Sequence, residues 1–122
     1  MSVRSQTSRD LVQIERLSAT PSETGGQIRV FSAANRGSRP VSARCRIQPL
    51  GARELVEFGV RGSRAAWKFL FADDPQITVE DRLIFTDSDG QTHTARVLEP
   101  SHNLDMQSRL YRVVAEKIEN EQ

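Results

Sequence analysis

Apolar and polar residues alternate with a period of two along most of the chain, the pattern of strands buried on one face. In LVQIERL, residues 11–17, Val12 and Ile14 oppose Gln13 and Glu15, which predicts a short first strand. The segment 18–26 is punctuated by Pro21 and the pair Gly25-Gly26 and reads as a loop. Alternation resumes through Ile28 and Val30 in residues 27–31, and the polar stretch 32–40, with Gly37 and Pro40, predicts a flexible loop. From Val41 to Leu50, Ala43, Cys45 and Ile47 face one way and Arg44, Arg46 and Gln48 the other, so this strand has an apolar inner and a basic outer face; Pro49 ends it.

Residues 51–58 are the one helical stretch in this part of the chain, with Leu55 and Phe58 three apart and Gly59 at the stop position. After the basic loop 60–64, the segment 65–71 sets Trp67, Phe69 and Phe71 on one face, which marks a core strand. An acidic connection, 72–80, leads into DRLIFT at 81–86, where Leu83 and Phe85 oppose Ile84. Asp87-Ser88-Asp89-Gly90 is a hairpin turn signal, and a return strand carrying Val97 follows at 91–98. Residues 99–108 read as a polar loop. Residues 109–118 fit a helix through Leu110 and Val114 and a strand through their alternation; the β-branched and aromatic centre favours a strand over 109–116. Six or seven short strands and one brief helix give a mainly β fold, a small antiparallel barrel or sandwich. Its expected core is Ile47, Trp67, Phe69, Phe71, Leu83, Phe85 and Val97.

A length of 122 residues, 37% hydrophobic and 27% charged, suits one domain spanning 1–122, with polar tails at 1–8 and 118–122. Neither a membrane span nor a signal peptide is expected, since no apolar run approaches the roughly 20 residues of a membrane helix. The net charge of +1 conceals an uneven distribution. Residues 1–64 hold eleven arginines against five acids, and residues 65–122 six basic residues against eleven acids. Fifteen of the seventeen basic residues are arginine, whose rigid fork of donors suits polar interfaces. Two halves of opposite sign suggest a subunit that can meet copies of itself head to side in a ring.

Candidate chemistry is sparse. Two histidines, His93 and His102, and one cysteine provide no nucleophile, base and carboxylate set and no CxxC pair, so no catalytic residue, cofactor or metal site is expected. Cys45, on an inner face, reads as a small core hydrophobe. The Asp-Ser-Asp-Gly run lacks the further ligands of a calcium loop and reads as a turn. His93 has no partner at metal spacing and reads as a half-exposed strand histidine. The strongest remaining feature is a basic stripe, Arg44, Arg46, Arg53, Arg61 and Arg64. It allows a small-barrel nucleic-acid-binding protein as an alternative, although Trp67, Phe69 and Phe71 look buried and a pI near 8.0 is low for such a protein.

The central block resembles the head-closure, or stopper, proteins of tailed bacteriophages, also described as head-tail joining or head-tail adaptor proteins. The resemblance rests on Arg46-Ile47-Gln48-Pro49-Leu50, then Arg53 and Glu54 in a short helix, Gly62-Ser63, Asp81-Arg82 opening a strand, and Val97-Leu98 in another. It extends in order over about residues 9–117 and departs in the loop Ser101 to Ser108, where a glycine-rich segment is expected. What it implies is a β-barrel subunit of a virion neck, assembled in the host cytoplasm as a ring of six or twelve copies. The ring would lie beneath the portal or adaptor protein, close the exit channel over packaged double-stranded DNA, and present a surface to the tail terminator or tail tube. Candidate subunit or neck-interface residues are Arg44, Arg46, Arg53, Glu54, Arg61, Arg64, Asp81 and Arg82. One of the loops 18–26, 32–40, 72–80 or 99–108 would plug the channel.

Overall fold

The computed structural model describes residues 10–21, 25–60, 65–105 and 110–118. Seven strands form: β1 (Asp10–Pro21), β2 (Gln27–Ser32), β3 (Ser42–Pro49), β4 (Ala66–Phe71), β5 (Asp81–Thr86), β6 (Thr92–Asp105) and β7 (Leu110–Lys117). A 3-10 turn, Ala34–Arg36, joins β2 to β3, and helix α1 (Ala52–Glu57) joins β3 to β4. The strands lie in the order β1-β3-β4-β7-β6-β5, each antiparallel to its neighbours, and β5 returns to pair with β1. Six strands are thereby closed into a barrel, and β2 stands outside it, hydrogen-bonded to β1.

Closure depends on the length of β1, whose 12 residues span roughly 40 Å at about 3.3 Å each. Its first residues, Asp10–Gln13, pair with β3; Val12–Arg16 pair with β5; and Arg16–Pro21 run past the barrel to pair with β2. The lower end of the barrel, as named here, is where β1 begins and β3 and β5 finish. The upper end carries two projecting hairpins, one from β1 and β2 and one from the far halves of β6 and β7.

The interior is filled by the period-two apolar set: Val12, Ile14, Cys45, Phe69, Phe71, Leu83, Phe85, Ala95, Val97, Val113 and Ala115, with Ile47, Trp67 and Tyr111 partly buried against them. Of the expected core residues, Phe69, Phe71, Leu83, Phe85 and Val97 belong to this cluster, while Ile47 and Trp67 are partly buried and pack against it. Ile77, from the connection between β4 and β5, joins it as well. A second cluster lies outside the barrel wall, where Leu55, Phe58 and Val60 of α1 and its exit pack with Leu98 against Leu50, Ala66 and Val114. It explains why β4 and β7 are apolar on both faces. The helix is set by Glu54, which accepts the Gly51 N–H at 3.1 Å, and stopped by Gly59 at φ +71°.

Three expected loops turn out otherwise. Residues 18–21 belong to β1 and 99–105 to β6, paired in hairpins with β2 and β7, although the sequence in these stretches shows no apolar alternation by which a strand is read. The segment 32–40 is tied down through its 3-10 turn: Asn35 donates to the carbonyls of Arg16 and Val30, at 3.2 and 3.1 Å. The remaining strands, the helix and the Asp87 to Gly90 turn, with Gly90 at φ +83°, form where the pattern puts them.

Candidate functional site

The charged residues singled out from the sequence divide between the wall of the barrel and its lower end. Along the seam where β1 meets β5, cations and acids alternate across the two strands. Arg16 pairs with Glu80 at 3.0 Å, and the Arg82 guanidinium grips Glu15 at 2.9 Å while lying 4.4 Å over the Phe31 ring. Above them Arg36 is buried, with 1% exposure, and its ion pair with Asp81 measures 2.7 Å. The same guanidinium donates to the carbonyls of Pro40, Pro75 and Gln76 at 2.6, 2.8 and 3.0 Å. One side chain thus joins the 3-10 turn, the β4–β5 connection and the start of β5. Asp81 also accepts the Thr78 N–H at 2.8 Å, and Gln76 sits at φ +54° under this clamp.

Each of these pairs links an acid or base of the first half of the chain to its opposite in the second half. Lys68 and Glu54, at 3.0 Å, do the same beside α1. The charge segregation seen in the sequence is therefore partly neutralised within the chain, because β5 folds back onto β1. Asp81 does not face a partner as expected: with 2% exposure it is enclosed by Arg36 and Thr78. Arg82 and Glu54 hold internal pairs. Arg44 and Arg53 are exposed, on β3 and α1, and Arg61 and Arg64 lie outside the described residues.

Arg46 is different. It borders a cavity of about 450 Å³ at the lower end, formed with Asp10, Gln48, Trp67, Phe85 and Asp87 among its walls. Trp67 and Phe85 meet edge to face, ring centroids 4.9 Å apart, and His93 is tilted against both at 5.3 Å. His93 Nε2 lies 2.7 Å from the Asp87 carboxylate. It is thus a partnered aromatic neighbour, with 14% side-chain exposure, and not the half-exposed strand residue of the sequence reading. The hydrogen bond from His93, with those from the Gln91 and Asp89 backbone, holds the Asp87 carboxyl below its ordinary range. Asp10 accepts the Ile47 N–H at 3.1 Å.

A second cavity, about 360 Å³, opens at the upper end between Pro40, Arg44, Phe71 and the acids Asp73 and Asp74. Cys45 lies inside the barrel, and burial, with Asp10 nearby, pushes its thiol up to about 12, so it stays protonated and inert at neutral pH. Arg36 and the Asp87–His93 pair were missed in the sequence. A lone arginine in a polar stretch gives no sign of burial, while the six-residue separation of Asp87 and His93 across a predicted turn was available as a signal.

No protein-family model and no curated protein matches the chain. Among solved structures it is similar in fold to the solution structure of protein SF1141 from Shigella flexneri 2a. The TM-score is 0.69 at 11% sequence identity, covering 99% of this chain and 100% of that one. At that identity the likeness speaks for the barrel architecture.

Proposed function

We propose that this protein is a structural subunit of the neck of a tailed bacteriophage or related particle. Copies of it form a ring beneath the portal or adaptor, close the DNA exit channel after packaging and offer the tail its attachment surface. The observation that carries the reading is the ordered series of head-closure-like elements. Arg46 to Pro49 end β3 with Leu50 just after it, Arg53 and Glu54 lie in α1, Asp81 and Arg82 open β5, and Val97 and Leu98 lie in β6, while Gly62-Ser63 falls outside the described residues.

The architecture is compatible with that role. Closure of six strands leaves β2 as the edge strand, so the barrel wall would pack against like copies by side chains, and its two hairpins at one end can reach an adjoining ring. The β1–β2 hairpin leaves Ile28 and Val30 about half exposed, at 53% and 50%, and Leu104 on the β6 arm is 42% exposed. Such apolar residues on polar arms suit contacts made on assembly. The nucleic-acid alternative needs aromatic faces offered to bases, whereas Phe69 and Phe71 are buried in the barrel.

Electron microscopy of lysates from the particle-producing strain lacking this gene tests the proposal. Separate heads and tails, with heads that have lost DNA, are the expected result. Joined, full particles in normal numbers would overturn it.

A further inference from the structure

β2 carries an open ladder edge. Arg16 is paired with Asp81 of β5 and with Ser32 of β2 at once, so β2 runs along the edge of β1 opposite β5. Leu17 donates its N–H to the Glu80 carbonyl, on the β5 side. Phe31, directly across from Leu17, and Arg29, two residues before it, therefore turn their N–H and carbonyl groups away from β1. Among the described residues no strand lies on that side of β2, and no backbone hydrogen bond reaches these groups.

Strand edges are ordinarily blunted by proline, lysine or a bulge. β2 has none of these: it reads QIRVFS, and its register on β1 is continuous. Ile28 and Val30 lie on one face of the hairpin, across from Thr20 and Ser18, and are about half exposed. Arg29 and Phe31 lie on the other face. The strand itself narrows what can pair with it. When β2 meets a second β2 antiparallel about a two-fold axis, the edge-facing groups of the two copies oppose one another with Ile28, Arg29 or Val30 on the axis. Arg29 on the axis sets like charges directly opposite, which is destabilising. Ile28 there carries the overlap past the start of the strand, to Gly26. Val30 there keeps residues 28–32 paired within β2 and sets Arg29 opposite the partner's Phe31.

We infer that β2 is a self-pairing edge: two copies of this chain join β2 to β2, antiparallel, about a two-fold axis at Val30. Arg29 exchanges N–H and carbonyl bonds with the partner's Phe31, and the two Val30 side chains meet at the axis. Ile28 and Val30 of both copies then form one apolar stripe in place of separate half-exposed residues. The Arg29 guanidinium is carried beside the partner's Phe31, a ring that within the chain already takes a cation, Arg82, at 4.4 Å. Charge does not oppose the pairing, since each chain carries only +1. One short strand from each copy buries less than a standard interface, so the dimer is weak and reversible. The inference concerns the free subunit and does not rest on the neck reading.

Sedimentation equilibrium of the purified protein at concentrations up to about 1 mM tests the pairing, and a monomer–dimer equilibrium is expected. Arg29→Pro should weaken it by about tenfold or more, because the Arg29 N–H faces outward and proline removes that donor while leaving the bonds between β1 and β2 in place. Val30→Cys reads the register. Residues on the axis face each other as a pair without hydrogen bonds, about 4.5 Å between Cα atoms, within reach of a disulfide. Mild oxidation of Val30→Cys should therefore give a linked dimer. Arg29→Cys, whose copies sit diagonally at about 7 to 8 Å, should cross-link far more slowly. The native Cys45 is buried and takes no part. A monomer at every concentration would overturn the proposal, as would a dimer that Arg29→Pro leaves unchanged or cross-linking as fast through Arg29→Cys as through Val30→Cys. Because β2 lies outside the barrel, all three variants are expected to keep the native circular dichroism.

Discussion

Arg36 is the residue on which most separate segments depend. Its guanidinium is buried against one carboxylate and three carbonyls, so truncation leaves Asp81 charged and enclosed with no counter-ion. Removing one member of a buried pair costs about 3 to 5 kcal/mol, a large part of a typical domain's roughly 5 to 15 kcal/mol. Arg36→Met should therefore lower the urea midpoint sharply, and adding Asp81→Asn should restore part of the loss by removing the orphaned charge. An Arg36→Met protein as stable as wild type would show the clamp to be dispensable. Cys45 gives a pH signature. Its thiol is raised from 9.0 to about 12 in the fold, so the unfolded chain loses its proton first. The stability this group contributes is complete below pH 9 and falls by about 1.4 kcal/mol per pH unit as pH rises toward 12. The difference in stability between wild type and Cys45→Ala, measured by urea unfolding from pH 8 to pH 11, should shrink above pH 9. Cys45 was legible in the sequence from its place in an alternating strand. Arg36 was not, since nothing local distinguishes an arginine that folds inward across the chain from one that is solvated.

At the scale of elements, what could be read depended on how many faces of a strand are buried. Strands with one wet face, such as the start of β1 and all of β3 and β5, announce themselves by alternation. β7 did not, because the barrel covers Val113 and Ala115 while α1 and its exit cover Val114, giving a continuous apolar run that a helix fits equally well. The far halves of β1 and β6 failed for the opposite reason, since 18–21 and 99–105 are mostly polar and carry no alternation to read. Helix α1 is the least secured of these elements, six residues held by one acidic side chain at its start and one glycine at its end. Beyond its own chain neighbours, nothing lies within 4 Å of the position a Cβ at Gly59 would take, so Gly59→Ala has only backbone conformation against it. It should cost about 1 to 2 kcal/mol in thermal or urea unfolding, and a neutral outcome would mean the stop is not set there. The Gly51 N–H holds the Glu54 carboxyl below its ordinary range, as does Lys68. The helix should thus be secure above the usual carboxylate range and loosen as pH falls through it. Amide exchange at Gly51 at pH 3 and pH 7 checks this; equal protection at both would contradict it.

For the whole molecule, the alternation and turn signals were enough for a β fold but did not settle barrel against sandwich. That choice lies in one long-range pairing, β5 onto β1, made by residues some 70 positions apart along the chain. The seam also changes the meaning of the charge distribution, since Glu15, Arg16 and Arg36 find their partners in Arg82, Glu80 and Asp81. Among the described residues, the exposed Arg44 and Arg53 and the upper hairpins remain available for contacts outside the chain. The proposal that such a barrel closes and joins a viral neck is tested most directly by adding the purified protein to a lysate of the deletion strain and counting joined particles. The account predicts that tails attach to full heads in proportion to the protein added, and that infectivity rises with them. Heads and tails that stay apart at every concentration, or that were already joined without it, would contradict the account.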